Sequence, residues 1–208
     1  MSGTAPILLL SMPQMADPNF SQTVVLLCDF TEKGAFGLVV NRQMDEPAAS
    51  MVKTDPPVTI DPEVRLWVGG PVDPQRPWVL TAEAHGPDDE QREICPGVVL
   101  SVSHALTLQL LQAPPDNRAR VVVGYAGWAP GQLDQEIASS AWLTMDVDPG
   151  LIFTVPPELM WETALHRLGT DPAKLQTSYP QGFRVEHESL SDEPPKRSSP
   201  QSGRPRVH

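Results

Sequence analysis

The sequence predicts an α+β domain with a mostly antiparallel, curled sheet. Apolar segments of strand length, rich in β-branched residues, fill the first half of the chain, which is typical of a sheet. About three segments space their apolar residues as a helix does, and they come late. A regular alternation of strands and helices, typical of a parallel sheet, is missing. A chain of 208 residues is expected to form one such domain with a sizeable core.

Apolar runs predict three strands near the start of the chain. Residues 7–12 and 23–30 form the first two, and a turn ending at Gly34 joins the second to a third strand at 35–42, which makes a hairpin. Residues 43–62 are polar and interrupted by prolines. They are expected to form an exposed, mobile excursion with at most one short helical turn.

The middle of the chain predicts another strand pair and a single strand. Residues 64–71 and 76–83 are expected to pair through a turn that contains two glycines and a proline. The polar segment 85–97 is predicted to be a loop, and the apolar segment that overlaps its end, 97–103, a strand.

Three segments predict helices. The first follows a cap at Ser101 or Ser103 and stops at the next Pro-Pro pair. The second has Pro130 in its first turn, where a missing N–H costs nothing. The third spans 158–168 with an apolar face and ends at Gly169, which suits the left-handed conformation of a helix end.

The remaining segments predict two strands and a tail. Residues 118–127 form a strand buried on both faces, and residues 142–148 alternate as a half-buried strand does. The apolar segment 151–155 follows and is not among the three predicted helices. The domain is expected to span 1–185, because 186–208 are rich in Pro, Ser and charge and are predicted to be disordered.

Composition argues against several classes of function. The formal net charge of −11 disfavours binding to nucleic acid, which depends on lysine and arginine. No apolar run is long enough to span a membrane, and residues 5–12 lack the basic leader of a secretory signal, so we expect a cytoplasmic protein. Cys28 and Cys95 have neither CxxC nor metal-ligand spacing and are predicted to be reduced thiols, with Cys28 half buried.

Four motifs in a fixed order resemble the AlgH/YqgE family of bacterial proteins. They are MADPNFSQTVVLLCDFTEKGAFGLVVNR, VGGPVDPQRPWVL, GYAGWAPGQLDQEI and ELMWETALHRLG. The resemblance covers about residues 5–180. It implies a small cytosolic α+β protein whose bifurcated sheet curls into a pseudo-barrel, from a family linked by genetics to transcriptional control of exopolysaccharide synthesis and without an established reaction. The chain departs from the family pattern at Gln43, where proline is usual, and at Thr81, where histidine is common.

The motif GYAGWAPGQLDQEI, at 124–137, permits two interpretations. Its glycines and helix start could hold an anion, with Trp128 and Gln132 beside it. The motif is not a P-loop, however, and no lysine or arginine lies between Arg120 and Arg167. A tight structural corner, with Trp128 packed on the sheet, is therefore favoured.

Asp17, Asn19, Asn41 and Arg42 form a second group of candidate residues. The structural interpretation is an Asx turn beside Pro18, with Asn41 and Arg42 either satisfying backbone groups of the loop or fixing the Asp17 loop by an Arg42–carboxylate fork. The functional interpretation is a polar pocket at the strand ends, where Arg42 holds an anion.

No catalytic or metal-binding set is evident in the sequence. The five histidines are scattered, no GxSxG elbow occurs, and no ligand spacing suits a metal. The five tryptophans lie on separate elements, which is typical of core packing rather than base stacking. We expect neither an enzyme nor a bound cofactor.

The sequence therefore predicts a noncatalytic regulatory or interaction protein that binds another protein or a small effector and affects transcription indirectly. The alternative is a small-molecule or nucleotide-binding protein, or an enzyme, with an anion pocket near Arg42. Either would use one region, here named the strand-end surface. It comprises Asp17, Asn19, Asn41, Arg42, Gly69, Gly70, Trp128 and Gln132.

Overall fold

The computed structural model describes residues 5–85, 90–170 and 175. The predicted tail at 186–208 and the predicted domain boundary lie outside the described residues. Within them the chain forms ten strands and five helices, and the predicted α+β class is confirmed. None of the helices in this part of the chain has the length and apolar character that a membrane crossing needs.

The elements follow one another in the order expected of a sheet with late helices. The strands are β1 (Ile7–Ser11), β2 (Val24–Thr31), β3 (Gly34–Val39), β4 (Gln43–Pro47), β5 (Arg65–Val68), β6 (Val72–Thr81), β7 (Gln91–Cys95), β8 (Val98–Ser101), β9 (Ala119–Trp128) and β10 (Trp142–Met145). The helices are α1 (Ala48–Met51), α2 (His104–Gln112), α3 (Gln132–Ala138), α4 (Pro149–Thr154) and α5 (Pro157–Arg167).

The sheet is mostly antiparallel and forks at β9. Its main path runs β10-β1-β2-β3-β9-β6-β8-β7, and every neighbouring pair on it is antiparallel. One edge of β9 pairs with β6. The other edge is divided, because Val122 and Val123 pair in parallel with β5 whereas residues 126–128 pair with β3. This division produces the bifurcated, curled sheet that the resemblance implies.

Helices cover both faces of the curled sheet. Alternation along β1 sends Leu8 and Leu10 into the largest apolar cluster, which also contains buried residues of α4 and α5. Leu9 points the other way, into the cluster covered by α3. A third cluster holds Ala48 of α1 and Leu111 of α2. Strands buried on both faces explain why their sequences are continuously apolar.

Three predictions about strands and loops are wrong. Strands β5 and β6 do not form a hairpin, because the chain after β5 crosses over β9 at Gly70 and joins the opposite edge. The segment 43–62 is not simply an exposed excursion, since β4 pairs with β5 and Ala48 is fully buried. The segment 85–97 contains β7, a charged strand at the sheet edge whose alternation is weak.

Helix boundaries also differ from the predictions. Helix α3 begins at Gln132 rather than at Pro130, after Gly131 in the left-handed conformation at φ +74°. The apolar segment after residue 150 belongs to α4, where the Asp148 side chain caps the helix by accepting a bond from the Leu151 N–H at 3.1 Å. Short apolar runs do not distinguish a buried strand from a buried helix. The cap of α2 is Ser103, one of the two residues predicted for it.

We expect one cysteine to react in the native protein. Both thiols are free, with Cys28 buried in β2 and Cys95 partly exposed in β7. Burial raises the pKa of the Cys28 thiol to about 12, whereas the pKa of Cys95 is raised less. The thiolate is the reactive form. Ellman's reagent at pH 8 should therefore label one thiol in native protein and both in urea, and Cys95→Ser should abolish the native reaction. Equal labelling of both thiols in native protein would contradict this.

Candidate functional site

The corner between β9 and α3 is held by a shared carboxylate. The Glu136 side chain accepts hydrogen bonds from the indole N–H of Trp128 at 2.9 Å and of Trp142 at 2.8 Å. Phe20 packs beside both rings, with centroids 6.2 Å from Trp128 and 5.5 Å from Trp142. Both indoles are buried. Trp128 therefore packs on the sheet, as the structural interpretation of this motif expects.

The Gln132 side chain at the start of α3 is already engaged within the corner. The side-chain oxygen of Gln132 accepts from the Ala129 N–H at 3.0 Å, and its amide donates to Glu136 at 2.9 Å. The Glu136 carboxylate thus accepts from the side chains of Gln132, Trp128 and Trp142. The geometry of Gln132 and Trp128 is that of a closed corner.

The Asp17 loop is fixed largely through its backbone. The carboxylate of Asp17 accepts from the Asn19 N–H at 2.8 Å, which forms the predicted Asx turn. The guanidinium of Arg42 donates to the carbonyl oxygens of Pro18 at 2.8 Å and Ser21 at 3.0 Å. Among the described residues, no ion pair joins Asp17 to Arg42. Of the two structural roles predicted for Arg42, the structure thus shows bonding to the loop backbone and not the carboxylate fork.

Asn41 joins the same loop to the sheet. Its side-chain oxygen accepts from the Val24 N–H at 2.8 Å, and its amide donates to the Gln22 carbonyl at 2.9 Å. The Arg42 carbonyl in turn accepts from the Val68 N–H at 2.8 Å. The structure thus brings Asp17, Asn19, Asn41 and Arg42 together at the strand ends, as predicted, and uses their polar groups to hold the loop.

Gly69 and Gly70 lie at the fork of the sheet. Gly69 donates to the Val123 carbonyl and accepts from the Val39 N–H, both at 2.8 Å, so it joins the two branches. A Cβ on Gly69 would overlap the Gly124 carbonyl, and one on Gly70 would overlap the backbone of Tyr125. Glycine is needed at both positions because the backbone after β5 passes in direct contact with the backbone of β9.

The structure adds a residue that sequence reasoning missed, Arg120. This side chain lies in β9 and is only 5% exposed. Its two terminal nitrogens donate to the carbonyl oxygens of Val40 and Ile152. The guanidinium carbon lies 3.8 Å from the ring centroid of Trp67 and 5.7 Å from that of Phe153. Both contacts are favourable cation–π arrangements.

Arg120 is a buried cation without a carboxylate partner among the described residues. It takes part in none of the ion pairs of those residues, and its Nε has no hydrogen-bond partner. Burial lowers the pKa of Arg120 to about 10, so the group stays charged at neutral pH. Buried charges are ordinarily paired. The sequence feature that could have revealed it is an arginine directly before the Val121–Val123 run of a buried strand.

Arg120 lines a cleft of about 290 Å³, here named the Arg120 cleft. Two Pro-Pro pairs, at 114–115 and 156–157, form part of its rim, and Trp67 and Phe153 contribute aromatic walls. Among its charged lining residues, Arg65 and Arg120 outnumber the single carboxylate of Asp116. The cleft therefore carries a formal charge of +1 on a chain whose net charge is −11.

The described histidines do not converge on either region. His85, His104 and His166 are exposed, do not line the Arg120 cleft and are not among the residues of the strand-end surface. In the part of the chain that the structure describes, no group of three histidine, cysteine or acidic residues is arranged to hold a metal ion. In the Arg120 cleft, a buried cation without a carboxylate partner among the described residues lines a concave surface.

Comparisons with known proteins agree on one family. A family model described as AlgH-like matches residues 8–173. A UPF0301 protein of Ralstonia pickettii is 40% identical over 170 residues, covering 80% of this chain and 89% of the relative. A UPF0301 protein of Myxococcus xanthus is 39% identical over 180 residues, covering 84% of this chain and 96% of the relative.

Solved structures of other proteins also match this chain. The solution structure of AlgH from Pseudomonas aeruginosa has a TM-score of 0.66 and 32% identity, and the match covers 88% of this chain and all of that one. A Corynebacterium diphtheriae protein with 22% identity and a TM-score of 0.59, covering 80% of this chain and 88% of its own, shares the fold. With the four ordered motifs and the forked sheet, these matches show that the chain belongs to the AlgH-like family.

Proposed function

We propose that this AlgH-family chain is a noncatalytic, cytoplasmic regulatory protein that binds a small acidic effector in the Arg120 cleft. The observation that carries the proposal is the buried, charged guanidinium of Arg120, which lacks a carboxylate partner among the described residues and lines a concave site. An acidic ligand would supply the missing opposite charge. Charge-assisted hydrogen bonds are among the stronger contacts available to such a ligand.

The chemistry of the cleft favours binding over reaction. Arg65 and Arg120 are donors that hold and orient an anion, and neither removes protons at neutral pH. Asp116 accepts from the Arg118 N–H at 2.9 Å and Thr154 donates to the Gly150 carbonyl at 2.5 Å, so both already have structural bonds. The cleft thus offers charged hydrogen-bond donors, while Asp116 and Thr154 already bond within the protein. This combination supports a binding protein rather than an enzyme.

The rim of the cleft supports a rigid site. Each of its two Pro-Pro pairs restricts the backbone torsions of two successive residues. A ligand entering a site that is already ordered loses less free energy to ordering of the protein. The same geometry therefore suits a small effector of modest size.

The strand-end surface is proposed as the face that meets a partner protein. Arg120 donates to the carbonyl of Val40, which directly precedes Asn41 and Arg42. An effector that engages Arg120 thus acts on the segment that leads into this surface. Control of partner binding by an effector would give the chain an indirect influence on transcription without contact with DNA.

A thermal-shift panel on the full chain tests effector binding. Small carboxylates, phosphates and nucleotides are compared with neutral analogues, for wild type, Arg120→Lys, Arg65→Gln and Arg42→Ala. A ligand at about a hundred times its Kd adds about 2.7 kcal/mol, which at this size raises Tm by about 5–10 °C. We expect an acid to produce such a shift in wild type and Arg42→Ala but not in Arg120→Lys.

Arg76→Gln is the matched control, because it removes one positive charge from an exposed site that does not line the cleft. A flat panel for every acid would overturn the proposed effector. A shift lost in Arg42→Ala and kept in Arg120→Lys would instead assign the ligand to the strand-end surface.

A further inference from the structure

We propose that Cys28 and Cys95 form a reversible disulfide when the protein meets a peroxide, so that oxidation ties β7 to β2. The sequence contains two cysteines, so a disulfide within one chain has a single possible pairing. Neither residue lines the Arg120 cleft or belongs to the strand-end surface. The disulfide is therefore independent of effector binding.

The two thiols lie against the same apolar cluster. Cys28 is buried within the largest cluster, and Cys95 packs against it while remaining partly exposed. Cys95 is also one of the groups that raise the pKa of the Cys28 thiol, and such an electrostatic effect weakens with distance. The fold thus brings together two cysteines that are far apart in the sequence.

An ion pair fastens β7 to β2 at this point. Arg92 of β7 donates to both oxygens of the Asp29 carboxylate, at 3.0 and 3.1 Å, and to the carbonyl of Cys28 at 3.4 Å. On the main path of the sheet β2 is third and β7 is last, so the two strands are not ladder neighbours and meet through the curl of the sheet. Arg92 therefore holds the strand that carries Cys95 beside the backbone of Cys28.

Both cysteines lie at irregular points of the sheet. The pairing of β2 with β3 shifts register between Leu27 and Asp29, which leaves Cys28 without a partner in β3. The pairing of β7 with β8 shifts register between Glu93 and Cys95. A β-bulge disrupts the ladder locally and redirects side chains. Because a disulfide needs Cα atoms about 4.4–6.8 Å apart, strands that are irregular at both positions can adjust to it with fewer ladder hydrogen bonds to break.

The chemistry begins at Cys95, the cysteine that solvent reaches. Its thiolate attacks one oxygen of hydrogen peroxide and the O–O bond breaks, which gives a sulfenic acid and a hydroxide that takes up the thiol proton as water. The Cys28 sulfur then attacks the sulfenic sulfur. The S–S bond forms, the S–O bond breaks, and the leaving hydroxide takes the Cys28 proton as a second water. The two thiols lose two electrons and the peroxide gains them.

The second step is slow because Cys28 is buried. Burial raises the pKa of its thiol to about 12, and the nearby Arg92 cation opposes this rise. Few Cys28 thiols are therefore ionised at neutral pH, and the disulfide needs prolonged exposure to the oxidant. A brief reaction with Ellman's reagent still labels Cys95 alone. In a reducing cytoplasm the bond would be transient, as is usual for disulfides there.

Treatment of the reduced full-length protein with a small excess of hydrogen peroxide tests the proposal. After prolonged treatment and transfer to urea, Ellman's reagent should find no free thiol, against two in the reduced protein, and dithiothreitol should restore both. Mass spectrometry of a non-reduced digest should find the peptides of Cys28 and Cys95 joined. The disulfide should also raise the urea midpoint of unfolding, because it closes a long loop in the unfolded chain.

Variants separate the two steps. Cys28→Ser leaves Cys95 without a partner, so dimedone should trap a lasting sulfenic acid. Arg92→Gln loosens β7 from β2 and should give less disulfide and more trapped sulfenic acid than wild type in the same time. Arg76→Gln is the matched control and should behave as wild type, because it removes an exposed positive charge that stacks on Trp78 instead.

Three results would overturn the proposal. One is the absence of any thiol loss under peroxide. Another is oxidation of Cys95 to sulfinic acid while Cys28 still reacts as a free thiol in urea. The third is a disulfide between the Cys95 residues of two chains, seen as a dimer on a non-reducing gel. If Cys28→Ser does not fold, the peptide map of the wild-type protein decides alone.

Discussion

Replacing Gly124 by alanine is expected to destabilise the fold more than the same change at Gly131 or Gly169, whose surroundings are open. Gly124 has φ +72°, and a Cβ there would lie 2.5 Å from the Gly70 carbonyl oxygen and 3.2 Å from that of Val72. The left-handed conformation costs an alanine about 1–2 kcal/mol, and overpacking adds about 1–3 kcal/mol. We expect a loss of about 2–5 kcal/mol in the free energy of unfolding.

Gly131→Ala is the matched control for this prediction. Gly131 has almost the same backbone angle, φ +74°, and nothing lies within 4 Å of its added Cβ. It should lose only the conformational part, about 1–2 kcal/mol. Urea unfolding of both variants measures the difference, which isolates the close passage of Gly70 over β9. Equal losses in the two variants would show that this contact does not constrain the fork.

Glu136→Ala is expected to cost about 2–4 kcal/mol, because each unsatisfied buried donor costs about 1–3 kcal/mol. The variant removes the acceptor shared by the indoles of Trp128 and Trp142, which are 6% and 3% exposed. Both rings also pack against Phe20. Urea unfolding, followed by tryptophan fluorescence, gives the change in stability and reports on the corner directly.

Two control variants separate the effect of losing the hydrogen bonds on stability from the effect of losing a carboxylate. Both indoles bond to the same oxygen of Glu136, so Glu136→Gln keeps their acceptor and loses only the bond from the Gln132 amide, which should cost about 1 kcal/mol. Glu162→Ala removes an exposed carboxylate from α5 and should stay within about 0.5 kcal/mol of wild type. A loss in Glu136→Ala no larger than in Glu162→Ala would mean that the corner does not depend on this carboxylate.

The candidate residues were predictable where neighbours in the sequence interact. The Asx turn of Asp17 with Asn19 spans two residues, and the cap of α2 by Ser103 spans three. The contacts of Arg42 with the Asp17 loop were expected, but the sequence left open whether backbone carbonyls or a carboxylate accept them, because residue types do not show which oxygen faces the guanidinium. Interactions between neighbours in the sequence therefore predicted the loop, but not which acceptor atoms bond to Arg42.

The amino-acid pattern was sufficient for the family, the α+β class, most strands and the closed character of the corner after β9, since all of these depend on residue types and short spacings. The folded chain was needed for the fork at β9 and for the Arg120 cleft. Arg120 bonds to Val40, which lies 80 residues away in the sequence, and to Ile152, which lies 32 residues away. Strand β9 pairs with three strands from distant parts of the chain. Such pairings follow from burial and backbone hydrogen bonding summed over the whole sheet, so no local pattern encodes them.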